Sequence, residues 1–211
     1  MNNIVLFGVQ GAGKGTQAKM LLNKFSNYKY FEAGNILRAI KSKPNCLGDY
    51  VKEIIDSGNL INDEFISSLF NAFLTTLSDN DNILIDGYPR KINQMKQFID
   101  LTSKKNISYK AVYLDLSEDK AIERLSSRLI CSNCGATLSN ISGKLKSCTY
   151  CGSDSLIKRE DDYPDAIKKR VRLYKEETKP VIDTFQNMGN LFIIDASGTQ
   201  EEVFDRIIDI L

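Results

Sequence analysis

Four short apolar runs, at residues 4–7, 83–85, 111–114 and 191–194, are rich in β-branched or aromatic side chains. Between them lie longer stretches in which apolar residues return every three or four positions. Short runs of this kind fit buried strands, and the longer periodic stretches fit amphipathic helices. The pattern predicts helices over 14–25, 47–57, 63–77, 93–103, 118–129, 164–186 and 201–210. Pro164 suits a first helical turn, whereas Pro180 should kink or end its helix, because proline lacks an N–H and clashes with the preceding turn. Strands alternating with crossover helices predict an α/β fold built on a parallel sheet.

One segment breaks the alternation. From 131 to 155 the chain turns to Ser, Gly, Asn, Cys and Thr and loses its helical period. Within it, Cys131-Ser132-Asn133-Cys134-Gly135 and Cys148-Thr149-Tyr150-Cys151-Gly152 form two Cys-x-x-Cys knuckles with 13 residues between them. Four-cysteine zinc sites commonly have about 15 to 20 residues in that interval. The gap is slightly short, yet two knuckles can still present four thiolates as a tetrahedron. A closed four-thiolate site has no position left for water, so Zn(2+) here would be structural and not catalytic. The lobe has too few apolar residues for a core of its own, and such a metal supplies about 10 to 16 kcal/mol of apparent binding energy in small finger peptides. Cys46 stands apart and reads as a packed or idle thiol.

At 211 residues the chain can bury one sizeable core carrying small inserted lobes. Its 28 basic and 27 acidic residues nearly cancel, so no overall field attracts a nucleic acid or a membrane. Any polyanion site must be local. No segment approaches 18 apolar residues and the start lacks a basic, hydrophobic leader, which together with the paired cysteines predicts a cytosolic protein. Histidine is absent, which excludes Ser-His-Asp hydrolases and other chemistry that needs an imidazole.

The first predicted strand runs directly into Gly8-Val9-Gln10-Gly11-Ala12-Gly13-Lys14-Gly15-Thr16, a G-x-x-x-x-G-K loop that opens a helix. Glycines let backbone N–H groups close around phosphate oxygens, the helix N-terminus adds partial positive charge, and Lys14 can reach the β- and γ-phosphates. Gly11, Ala12, Gly13, Lys14, Gly15 and Thr16 are therefore candidate ATP-binding residues. A strict Walker A loop has Ser or Thr directly after the lysine; here Gly15 intervenes and Thr16 would approach the magnesium. The run at 83–85 ends in Asp86, where P-loop folds hold Mg(2+).

Three segments in order, Gly8 to Thr16, then Ala33-Gly34-Asn35-Ile36-Leu37-Arg38, then Asp86-Gly87-Tyr88-Pro89-Arg90, resemble the signatures of nucleoside monophosphate kinases, and with the cysteine lobe the zinc-containing adenylate kinases. The resemblance implies a P-loop core at 1–31, 62–126 and 163–211, a monophosphate-binding lobe at 32–61, and a zinc-stapled lid at 127–162. It implies phosphoryl transfer from ATP·Mg to AMP by a monomer. It places Arg38, Arg90, Arg124, Arg128, Arg159 and Arg170 with Lys14 on the phosphates. By the same resemblance Ala33, Asn59, Leu60, Ile61, Gly87, Tyr88, Pro89 and Gln94 surround the monophosphate, and Thr137, Leu138 and Gly198 lie near ATP. Asp161 and Asp162 match a pair at the lid hinge; they also read as caps for the helix at Pro164. Of eight arginines only Arg172 and Arg206 are left to the solvated surface.

The acceptor base is read from two residues that disagree. Ala33 is more like the UMP/CMP kinases, whose second signature lacks the threonine usual in adenylate kinases, and Asn35 replaces an aspartate. Gln94 points to AMP, since its amide offers both a donor and an acceptor to the adenine edge. A UMP/CMP kinase is therefore the alternative enzyme. From another class, a zinc-ribbon module binding nucleic acid is disfavoured, because Lys144, Lys146, Lys158 and Arg159 are few and dispersed.

Overall fold

A computed structural model describes residues 3–159 and 162–211. β1 (Asn3–Phe7) leads into α1 (Lys14–Lys24), β2 (Tyr28–Glu32), α2 (Ala33–Lys41), α3 (Cys46–Asp56), α4 (Asp63–Leu74) and β3 (Asn82–Asp86). α5 (Ile92–Lys104), β4 (Tyr109–Asp115) and α6 (Glu118–Ser126) follow. The cysteine lobe contributes β5 (Arg128–Cys131), β6 (Thr137–Ser139) and β7 (Leu156–Ile157). The chain returns through α7 (Pro164–Leu173), a π-helical turn (Tyr174–Thr178), α8 (Lys179–Asn187), β8 (Leu191–Asp195) and α9 (Gln200–Ile208).

The main sheet has the order β2-β3-β1-β4-β8 and every pairing in it is parallel. All five strands therefore end on one edge, and that edge carries the glycine loop, Glu32, Asp86 and Asp195. β1 and β3 are central and read as continuous apolar runs, as strands covered on both faces must. Phe31, Phe70, Tyr88 and Phe98 pack edge to face and tilted behind β3, fixing the floor beneath the segment that follows it.

The expected α/β architecture is present, with differences that have local causes. β2 was not expected, because Tyr28-Lys29-Tyr30-Phe31-Glu32, at the edge of the sheet, is neither a continuous apolar run nor a strict alternation. α2 was also not expected. α4 stops at Leu74 and not at residue 77, and α6 stops at Ser126 and not at residue 129, where Arg128 enters β5. The break expected from Pro180 is a π-helical turn just before it; the helical path then continues with proline in the first turn of α8. Thr178, in that turn, donates its hydroxyl to the Arg90 carbonyl at 3.1 Å.

The cysteine lobe forms its own antiparallel sheet, β6-β5-β7, over a second small core of Cys131, Ala136, Leu138 and Cys148.

Candidate active site

The glycine loop is shaped by what stands against it. Gly11 has φ 91°, and a Cβ there would lie 2.7 Å from the Ala121 carbonyl of α6, so only glycine fits. Gly13 caps α1 with φ 98° and accepts from the N–H groups of Thr16 and Gln17. The first turn of α1 holds no acidic residue, whereas those of α4, α6 and α9 do. The positive end of α1 is thus left facing the loop, as an anion site needs. Nothing lies within 4 Å of a Cβ built at Gly15, so the departure from Ser or Thr after the lysine leaves open space there.

Lys14 Nζ donates to the carbonyls of Gly8 at 2.7 Å and Val9 at 3.2 Å. Burial lowers its pKa from 10.5 to about 8; Asp86 pulls the other way, and the positive charges of Arg90, Arg170 and Arg128 add to the depression. Cations drawn from three distant stretches of sequence therefore converge on one point.

Asp86 ends β3 beside Glu32 of β2, its partner in the parallel register. Tyr30 donates its hydroxyl to Asp86 Oδ2 at 3.5 Å. Burial, and then the charge of Asp86, push the Glu32 carboxyl up, against the pull of Arg38, whose Nη2 donates to Glu32 Oε1 at 3.3 Å. Glu32 was not expected at the site.

Beside this pair opens a cavity of about 430 Å³. Ala33, Arg38, Asn59, Leu60, Ile61, Gly87, Arg90, Gln94 and Arg170 line it, all of them expected at the monophosphate. Tyr88 and Pro89 do not form its wall. Tyr88 is fully buried in the aromatic cluster, where its hydroxyl pairs with that of Ser67 at 3.0 Å and donates to the Gln94 carbonyl at 3.3 Å. Arg90 donates Nε to the Gly87 carbonyl at 3.0 Å, and burial lowers its pKa, with Asp86 opposing. Lys52 and Ile55 of α3 also line the cavity; their helical spacing gave no signal beyond an amphipathic face.

The remaining arginines divide. Asp162 is fully buried and accepts from Arg128 Nε at 2.6 Å, Arg128 Nη2 at 2.5 Å and Arg170 Nη1 at 3.2 Å. It binds two arginines and does not cap α7, whose N-cap is Tyr163. Asp161 lies outside the described residues. The charge of Arg159 reaches Glu32. Arg124 Nη2 donates to the Ala196 carbonyl at 3.2 Å, beside the loop of Gly198. Arg172 pairs with Glu176 at 3.9 Å and Arg206 donates to the Asp195 carbonyl at 2.7 Å, both in surface settings as expected. In the cysteine lobe Thr137 is exposed, while Leu138 is buried in the lobe's own core.

The four Sγ atoms of Cys131, Cys134, Cys148 and Cys151 lie within 4.8 Å of one another, with Cys131–Cys151 and Cys134–Cys148 at 3.6 Å. A tetrahedral zinc with bonds of about 2.3 Å needs sulfurs about 3.8 Å apart. The donor set fits a structural metal. Within the cluster the thiols are coupled: hydrogen bonds from the Ser153 N–H and the Asn133 amide pull the Cys151 thiol down, whereas burial and the neighbouring sulfurs push Cys134 up.

A glycine loop and an arginine-lined cavity that open on the same edge of one parallel sheet define the class of protein: a P-loop phosphotransferase. Comparison with known sequences narrows this. A family model described as adenylate kinase matches residues 6–190. Adenylate kinase of Hydrogenobaculum sp. (strain Y04AAS1) is 37% identical over 211 residues, covering 99% of each chain. That of Petrotoga mobilis is 37% identical over 214 residues, covering 99% of this chain and 96% of the relative. That of Lactobacillus acidophilus is 34% identical over 215 residues, covering 100% and 98%. The chain belongs to the adenylate kinase family, enzymes that transfer phosphoryl groups between nucleotides.

Proposed function

We propose that the protein reversibly transfers the terminal phosphoryl group of ATP·Mg to AMP, giving two ADP. The observation that carries this reading is the gathering of Arg90, Arg170 and Arg128 around a buried Lys14, whose pKa burial depresses and their charges lower further, which calls for a polyanion at their centre. Phosphoryl transfer asks for such a place: charge spreads over the migrating group, and catalysis is largely positioning and electrostatic stabilisation. The glycine loop from Gly11 to Thr16 and Lys14 hold the donor phosphates, with Thr137, Leu138 and Gly198 toward its base. Arg38, Arg90 and Gln94 hold the acceptor, in the cavity also lined by Ala33, Asn59, Leu60, Ile61 and Gly87. Arg128, Arg159 and Arg170 bridge the two, and Arg124 supports the donor side. Mg(2+), bound with ATP near Asp86 and Thr16, neutralises phosphate charge; Zn(2+) on the four cysteines is structural.

Residues 32–61 close over the acceptor and residues 127–162 over ATP, excluding water so that the acceptor is phosphorylated and ATP is not hydrolysed. The protein works as a cytoplasmic monomer on small molecules, without nucleic acid or membrane; no helix among the described residues is long and apolar enough to cross one. Ala33 lines the acceptor cavity and favours the second reading, a UMP/CMP kinase.

A coupled turnover assay with ATP·Mg and AMP, CMP or UMP, beside a control without acceptor, separates the two. Preference for AMP with little background hydrolysis supports the first reading, and preference for CMP or UMP the second. Arg90→Ala and Arg128→Ala should each lower kcat by about 10³-fold or more with the fold intact, the scale of a transition-state arginine. Near-normal turnover in both would overturn the assignment of these residues.

A further inference from the structure

Gln94 lines the proposed acceptor cavity while only 3% exposed, and both ends of its amide are already held. Its Oε1 accepts the Arg90 backbone N–H at 2.8 Å, and its Nε2 donates to Asp63 Oδ1 at 2.9 Å. These partners permit one orientation only. A backbone N–H can only donate and a carboxylate can only accept, so the flipped amide would set N–H against N–H and oxygen against oxygen.

Asp63 is itself held. It opens α4 directly after Asn62, whose Oδ1 accepts from the N–H groups of Glu64 and Phe65, and Lys91 Nζ stands 3.7 Å from the same carboxylate oxygen that Gln94 binds. The Arg90 N–H belongs to the segment anchored by Thr178 and by the Tyr88 hydroxyl. With one lone pair and one hydrogen committed, the amide retains one acceptor and one donor, in a fixed order.

Order is what separates bases that otherwise offer the same groups. A 6-aminopurine presents an exocyclic donor beside a ring acceptor; a 6-oxopurine presents an exocyclic acceptor beside a ring donor. A glutamine able to flip pairs with either. We propose that Asp63 is a positioning residue that, together with the Arg90 N–H, fixes the polarity of Gln94, and that this fixed polarity selects amino bases over oxo bases at the acceptor site. The proposal rests on reading this cavity as the acceptor site. Cytosine carries the same order as adenine, so the lock separates amino from oxo bases and leaves purine against pyrimidine to the shape of the cavity.

AMP and inosine monophosphate differ only in this edge and are the probes. Steady-state kinetics with both would be measured for the wild type, Asp63→Asn, Gln94→Ala and the double variant, with melting temperatures recorded. Asparagine keeps the shape of Asp63 but can donate or accept, which removes one of the two constraints on the amide and leaves the Arg90 N–H alone to resist a turn. Asp63→Asn is expected to raise KM for AMP, lower KM for inosine monophosphate and narrow the ratio of their kcat/KM values by about tenfold, the worth of one hydrogen bond, with kcat on AMP little changed. In the Gln94→Ala background the same substitution should leave the ratio unchanged. Asp63→Ser, whose hydroxyl also donates or accepts, is put through the same measurements in case the asparagine variant folds poorly. An unchanged ratio in folded variants, or equal narrowing without Gln94, overturns the role of Asp63. A wild type indifferent to the two nucleotides overturns the reading of the cavity itself.

Discussion

Lys14 should make nucleotide binding fall steeply with alkaline pH, and the structure sets where. Its pKa drops from 10.5 to about 8 chiefly because the ammonium is buried, with Asp86 opposing and the charges of Arg90, Arg170 and Arg128 adding to the drop. A depression of that size corresponds to about 3 kcal/mol held against the charged form. A bound polyphosphate reverses the balance and raises the pKa again. Between about pH 8 and the bound-state pKa, binding must therefore take up one proton, and affinity should fall up to about tenfold per pH unit. For the stability of the free protein the sign is opposite. A lysine whose folded pKa lies below its unfolded value destabilises the fold while charged, and that burden lifts as pH rises through about 8 toward 10.5. The assay is isothermal titration of an ATP analogue from pH 7 to 9.5 in buffers of different ionisation enthalpy, which counts the protons directly. Lys14→Arg is the control, since guanidinium stays charged throughout and its profile should be flat. A flat wild-type profile through pH 9 with no proton uptake would refute the argument.

Asp162 binds Arg128 and Arg170 from a fully buried position, so Asp162→Asn leaves two guanidinium groups with a neutral partner. Breaking a buried pair of this kind costs about 3 to 5 kcal/mol, and for a chain of this size Tm should fall by about 6 to 20 °C. A shift below about 2 °C in the nucleotide-free protein would contradict the pairing. Chelation of a metal held by the four cysteines should abolish hydrogen-exchange protection across β5, β6 and β7 before the main sheet is affected, since among the described residues the lobe's core has four buried members, two of them cysteines. Unchanged protection in the lobe would mean that the four thiolates hold no structural metal.

Sequence pattern and local chemistry made the central strands, the glycine loop and the cysteine knuckles legible, because each depends on neighbours in the chain. β1 and β3 are buried on both faces and so appear as apolar runs, whereas β2, at the sheet edge, puts Lys29 on one face and Glu32 on the other and so shows neither a run nor an alternation. α2 is legible in a second way beneath the chemical signature of Ala33 to Arg38, since Ala33, Ile36, Leu37 and Ile40 keep a helical spacing. The arginines could be picked out by motif, but their partners could not. Glu32 meets Asp86 only through strand register, and Asp63 meets Gln94 across 31 positions. Asn62-Asp63-Glu64 reads from sequence as an ordinary helix start, which it also is. Leu138, expected near ATP, is also a member of the lobe's small core, a packing role that its place in the sequence does not reveal.

The two hydrophobic cores share no buried residue: Cys131, Ala136, Leu138 and Cys148 form one, and the sheet and its helices form the other. Packing is how a substitution in one place constrains its neighbours, so the lobe's interior is insulated from the sheet's. Its sequence can drift, or be exchanged as a cassette for one held together by other means, without asking the sheet to repack. A constraint that crosses the boundary is charge, not shape: Arg170 of α7 must still find Asp162 at the end of the lobe.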